Sequence, residues 1–196
     1  MADQLATPAD LASLLQQDVD TATATLLLEC ATAVVQEAAG GQRLLEVVGD
    51  TANLTGLTDS WLDLPQIPVT AVISVTLDGV AVAAGTPGSG GLTYRRRGNR
   101  LWRGGGWQTY CGEPSDVVVV HTHGYAVGAQ QLQLARSSVL SLAKPYYPNP
   151  SGASSESIDD YSVTYAAMSA QMEATPIVKA ALRKTYGRRA GFTRIG

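Results

Sequence analysis

The chain has 196 residues, 45% apolar and 16% charged, with a formal net charge of −3. That length fits one domain or one domain with extensions, and that apolar share supports a core. No apolar run reaches the roughly 18 residues a membrane helix needs, residues 1–20 lack a basic n-region, and Cys30 and Cys111 are too few for a disulfide framework, so they read as two reduced, unrelated thiols.

The first helix signal is Thr7-Pro8-Ala9-Asp10. Thr7 suits the cap, Pro8 the first helical position and Asp10 the first turn. Leu11, Leu14 and Leu15 carry this short helix to about Gln16. A second helix is expected from about Asp20 to Ala38, where Ala24, Leu27, Leu28, Ala31, Val34, Val35 and Ala38 follow helical spacing. Gly40-Gly41 ends it.

A β region follows, at about 43–123. Leu44 to Val48 reads as a strand, Asp50 to Asp59 as a polar, turn-rich stretch, and Trp61 to Leu64 as a short strand. Pro65 and Pro68 mark the start of a strand or a sheet edge. From Val69 to Leu77 the pattern alternates, placing Val69, Ala71, Ile73, Val75 and Leu77 on one face, with Val72 as the exception. Asp78-Gly79 supplies the two positive-φ positions of a tight hairpin returning along 80–83. Ala84 to Gly91 reads as a flexible loop. Leu92 to Arg95 and Leu101 to Arg103 pair around Gly98-Asn99, Gly104 to Gly106 is a break, and Asp116 to His123 is a β-branched, central strand.

A third helix is expected over about 129–144, with Leu132, Ala135, Val139, Leu142 and Ala143 as its apolar stripe. Pro145, Pro148 and Pro150 stop it, Ser151 to Ser157 forms a polar link, and Ile158 to Tyr165 reads as a strand or extended arm. A last short helix starts at Thr175-Pro176 and runs to about Tyr186, before a basic tail. The resulting fold class is α+β. Residues 1–144 form a small helical bundle with an inserted antiparallel β module, and residues 145–196 form a Pro-rich link, an extended arm, a helix and a tail.

Charge is unevenly spread. No Lys or Arg precedes Arg43, while Asp3, Asp10, Asp18, Asp20, Glu29 and Glu37 do. Arg95, Arg96, Arg97, Arg100 and Arg103 cluster mid-chain among Tyr94, Trp102 and Trp107. Residues 174–196 carry six basic side chains and no acid. These are either solvated patches or complementary docking surfaces. The arginine cluster can hold a nucleic-acid backbone or dock on an acidic protein, and the acidic balance of the chain favours protein.

Candidate chemistry is thin. His121 and His123 share a strand face, but a metal centre needs a third or fourth ligand, and no HExxH or CxxC accompanies them. They read as hydrogen-bonded or exposed side chains, with a metal-dependent enzyme as the competing reading. Glu156, Asp159 and Asp160 sit in a linker rather than a rigid pocket. Ser154, Ser155 and Ser157 lack a nucleophile-elbow context, and neither glycine-rich stretch leads from a strand into a helix. No catalytic residue, cofactor site or metal site is expected.

Three segments in order, Leu64–Gly79 (LPQIPVTAVISVTLDG), Val117–Tyr125 (VVVVHTHGY) and Glu156–Tyr165 (ESIDDYSVTY), together with the N-terminal helix pair, resemble the head-to-tail adaptor proteins of long-tailed double-stranded DNA phages, also called head completion or connector proteins. The resemblance covers Thr7 to about Tyr186, with Asp159 where glycine is expected. It implies a structural virion protein at the head–tail interface, located in the host cytoplasm during assembly. Such a protein forms a ring of normally twelve copies beneath the portal protein, extends the DNA channel and gives the tail a docking platform. The implied partners are the portal, the next tail-side connector (a stopper or tail terminator) and further copies of itself. Genomic DNA passes through the lumen without specific binding, and no membrane is involved. Carried over residue by residue, Ile177, Leu182, Arg183, Tyr186, Arg188, Arg189 and Phe192 fall at the portal contact. A ring needs two different faces per subunit, and DNA must slide through it, so Arg95, Arg96, Arg97, Arg100, Trp102 and Arg103 are expected at a subunit or tail contact. The runner-up from another class is a DNA-binding accessory protein using the Arg95–Arg103 hairpin and the tail.

Overall fold

The computed structural model describes residues 4–86, 93–147 and 172–187. Its helices and antiparallel sheets make an α+β fold. The chain divides into two compact units, 1–44 with 128–196 and 45–127.

In the helical unit, α1 (Pro8–Leu15) begins with a capping box: Thr7 Oγ1 accepts from the Asp10 amide at 3.2 Å and the Asp10 carboxylate accepts from the Thr7 amide at 2.9 Å. Burial raises the Asp10 carboxyl, but the Thr7 backbone, the Arg136 guanidinium and the Thr7 hydroxyl outweigh it and hold it below the ordinary carboxylate range. α2 (Thr21–Ala38) is capped by Asp20, whose carboxylate accepts from the Thr23 amide at 2.8 Å. The chain leaves it through Gly40 and Gly41, both at positive φ. α3 (Gln133–Ala143) lies between one-turn 3₁₀ segments at Gln130–Leu132 and Lys144–Tyr146. α4 (Pro176–Tyr186) starts from a Thr175 cap with proline at its first position. Leu11, Leu27, Leu28, Ala31, Val35, Ala135, Val139 and Leu182 are fully buried. Each buried leucine is worth about 2 kcal/mol of removed apolar surface. The Tyr186 hydroxyl ties α4 to α3 by donating to the Gln131 carbonyl and accepting from the Ala135 amide at 3.3 Å.

The β unit holds two sheets. The four-stranded one runs β1 (Val47–Gly56), β7 (Ser115–His123), β3 (Val69–Leu77), β4 (Val80–Ala81). The three-stranded one runs β2 (Trp61–Asp63), β6 (Arg100–Arg103), β5 (Tyr94–Arg97). All pairings are antiparallel. Leu62, Leu64, Tyr94, Leu101 and Trp107 share one core with Val69, Val75, Leu77, Val117 and Val119.

Two expectations for this unit are corrected. Residues 50–56 are strand, not turn, because they pair with β7 from Asp50↔His121 to Gly56↔Ser115. A bulge at Val48–Gly49, with Gly49 at φ +72°, sets the phase so that Ala52 and Gly56 are buried. In β3 the simple alternation fails: Ala71 and Ile73 are exposed and Val72 packs against the core. Pairing with β7 skips Thr70 and Ile73, so the inward residues are Val69, Val72, Val75 and Leu77 opposite His123, His121, Val119 and Val117. Each bulge moves the side-chain phase by one residue. The Asp78-Gly79 hairpin forms as expected, with φ of +48° and +80°. Asp78 also clasps the next strand, as its amide donates to the Asp116 carbonyl and its carboxylate accepts from the Asp116 amide, both at 2.8 Å.

Candidate functional site

The arginine hairpin is built by strict alternation across three strands. Cross-strand pairs are Tyr94↔Arg103, Arg95↔Trp102, Arg96↔Leu101 and Arg97↔Arg100, continued into β2 as Trp61↔Trp102, Leu62↔Leu101 and Asp63↔Arg100. One face therefore carries Tyr94, Leu101 and Leu62, all buried. The other carries two rows, Arg95–Trp102–Trp61 and Arg97–Arg100–Asp63.

The six expected contact residues thus divide. Arg96 and Arg103 lie on the core side and serve the backbone: Arg96 Nη1 donates to the Val69 carbonyl at 2.7 Å, and Arg103 donates to the Gly106 carbonyl. Arg95, Arg97, Arg100 and Trp102 lie on the outer side. The Arg95 guanidinium sits 4.5 Å from the Trp102 ring centre, and that of Arg100 sits 5.1 Å from the Trp61 ring centre. Arg100 Nε is also 2.6 Å from the Asp63 carboxylate. Trp61 is 38% exposed. Trp61 and Asp63 are the members that the arginine cluster alone did not reveal; their signal is that they stand two residues apart on a short strand.

The histidines lie on the inner face of the four-stranded sheet. Both are fully buried, which removes the exposed alternative, and their ring centres are 5.3 Å apart. His123 Nε2 is 3.0 Å from Asp50 Oδ2. Backbone groups of Val119 and Asp50 lie close enough to act on the His121 ring, but neither of its nitrogens makes a hydrogen bond of ordinary geometry to a described residue. Burial pulls the His121 imidazole below its ordinary value, His123 adds to that, and backbone groups of Val119 and Asp50 with the Asp50 charge oppose it. Among the described residues no group of three or more His, Cys, Asp or Glu is placed to hold a metal ion.

Of the residues assigned by resemblance to a portal contact, Leu182 and Tyr186 are buried in the helical unit, whereas Ile177 is 82% exposed and Arg183 is exposed. Arg188, Arg189 and Phe192 lie outside the described residues, as do Glu156, Asp159, Asp160 and the serines at 154, 155 and 157. A groove of about 370 Å³ is lined by Val34, Glu37 and Ala38 of α2 with Met172, Lys179 and Arg183. It offers no nucleophile beside a base. Cys30 and Cys111 are both free; burial, then the Glu29 charge, pushes the Cys30 thiol up, away from reactivity. Among the described residues no helix is long and apolar enough to cross a membrane.

No protein-family model matches the chain, and no curated protein matches it. Solved structures do. A chain in the neck of an empty gene transfer agent particle is 20% identical, with a TM-score of 0.51, over 93% of this chain and 90% of that one. A chain in the virion of a native gene transfer agent particle is 19% identical, with a TM-score of 0.48, over 87% of this chain and 79% of that one. At 20% identity the first likeness is one of fold across nearly the whole length.

Proposed function

We propose that this chain is a structural, non-catalytic neck protein of a phage-like particle. In this reading it forms a closed ring beneath the portal, extends the DNA channel and presents a platform to the tail-side connector. The observation that carries the proposal is the end-to-end fold likeness to a chain of a gene transfer agent neck, in a structure computed with C6 symmetry. Cyclic symmetry is what a head-to-tail ring contact generates when it closes. It agrees with the independent sequence resemblance to head-to-tail adaptors. Twelve copies and a portal contact through the C-terminal segment belong to the proposal, with Ile177 and Arg183 as its exposed described members. The DNA-binding alternative draws less support, because Arg96 and Arg103 are spent on backbone carbonyls and Arg100 on Asp63. Electron microscopy of the chain mixed with its portal tests the reading. A ring stacked coaxially on the portal is the expected result; a portal that stays bare at saturating chain concentration overturns it.

A further inference from the structure

We infer that the outward face of the β2–β6–β5 sheet is the surface by which one copy of this chain receives the acidic α1–α2 segment of the next copy. The inference rests on the ring reading and gives that ring its two unlike faces. Three guanidinium groups, Arg95, Arg97 and Arg100, stand on this face against one carboxylate, Asp63. Charge complementarity within the same chain supplies the occupant. Six acids and no Lys or Arg precede residue 43. Asp10 is engaged by Arg136, Asp20 caps α2 and Glu37 shares its groove with Lys179 and Arg183, while Asp18 stands exposed.

Geometry favours carboxylates over bases as the ligand. One face of Trp102 and one of Trp61 are already covered by guanidinium groups, so a nucleotide base that stacks there must displace an arginine. A guanidinium stacked over an indole can still pair with a carboxylate, as Arg100 over Trp61 does with Asp63. The ring contact restricts the side chain before binding, which lowers the entropy lost on association. Tryptophan and arginine together are the residue types that dominate protein–protein contact energies.

The test is sedimentation velocity on the full chain at low and high salt, with Arg97→Glu and Asp18→Lys, each alone, mixed in equal amounts, and combined in one chain. Both positions are exposed, and circular dichroism checks that each variant folds. Wild type is expected to self-associate at low salt. Either reversal should weaken that association roughly tenfold or more, and both the mixture and the double variant should recover it. A monomeric wild type, association indifferent to both reversals, or no recovery in the charge swap overturns the inference. So does a 20-nucleotide oligo-dT whose binding, and not self-association, is lost in Arg97→Glu. Failure here leaves the neck role standing if a ring still forms on the portal; a bare portal beside a self-associating chain sinks the neck role and spares this contact.

Discussion

Acidification should destabilise the β unit through His121. The ring is fully buried in the described structure, faces Val72 from β3, and is acted on electrically by His123 on its own strand and Asp50 on β1. Its folded value lies below the ordinary 6.5. Between those two values the unfolded chain binds a proton that the folded chain refuses. Stability is therefore complete above pH 6.5 and falls as pH drops below it, until the folded ring also takes up its proton. One proton is worth about 1.4 kcal/mol per pH unit once the unfolded ring is charged, so the loss from pH 7.5 to 5.5 is at most about 1.4 kcal/mol. For a unit of under a hundred residues that corresponds to a fall in Tm of roughly 6–10 °C. Urea denaturation at pH 7.5, 6.5 and 5.5, followed by a β-sheet probe, measures it. His121→Leu should hold its pH 7.5 stability within about 1 kcal/mol, because an apolar replacement removes an unpaired buried polar group. It should also abolish most of the slope. An unchanged slope in His121→Leu, or a wild-type His121 ring that titrates at or above 6.5 by NMR, would refute the reasoning.

Three further outcomes follow from local geometry. Gly56→Ala should cost about 3 kcal/mol and red-shift Trp107 fluorescence, because a Cβ there would lie 1.8 Å from the Trp107 carbonyl oxygen and 2.8 Å from a Val117 methyl. Thr7→Ala should cost about 1 kcal/mol in chemical denaturation of the helical unit, since it strips the cap from α1. Tyr186→Phe should cost about 1–2 kcal/mol and speed hydrogen exchange at the Ala135 amide, which donates to that hydroxyl.

Helix ends were legible because capping is local chemistry. Thr7, Asp20 and Thr175 each accept from an amide three residues on, and each was visible as a polar residue before a helical stripe. The hairpin at Asp78-Gly79 was legible for the same reason: two neighbouring residues decide it. β1 was not, because GDTANLTG is rich in turn formers and its strand state is imposed by eight residues of pairing with β7, 59 to 76 positions away. Its signal was faint but present: Thr51, Asn53 and Thr55 alternate with Ala52 and Leu54.

The bulges in β3 mark where reading by period two stops working. Inward positions spaced three, three and two match no single periodicity, yet they keep step with the strict two-residue spacing of Val117, Val119, His121 and His123. Knowing the partner strand would have exposed the shift; β3 alone could not. The arginine hairpin is the opposite case. Its register has no bulge, so alternation alone assigns Arg96 and Arg103 to one face and Arg95, Arg97, Arg100 and Trp102 to the other. Counting the cluster as one basic patch overstated its outward charge, because Arg96 and Arg103 satisfy carbonyls and Arg100 pairs with Asp63. What remains outward is a smaller and stiffer surface than five free arginines would make. A surface with modest net charge selects a partner by shape and carboxylate placement, whereas a field of free charges would hold any polyanion.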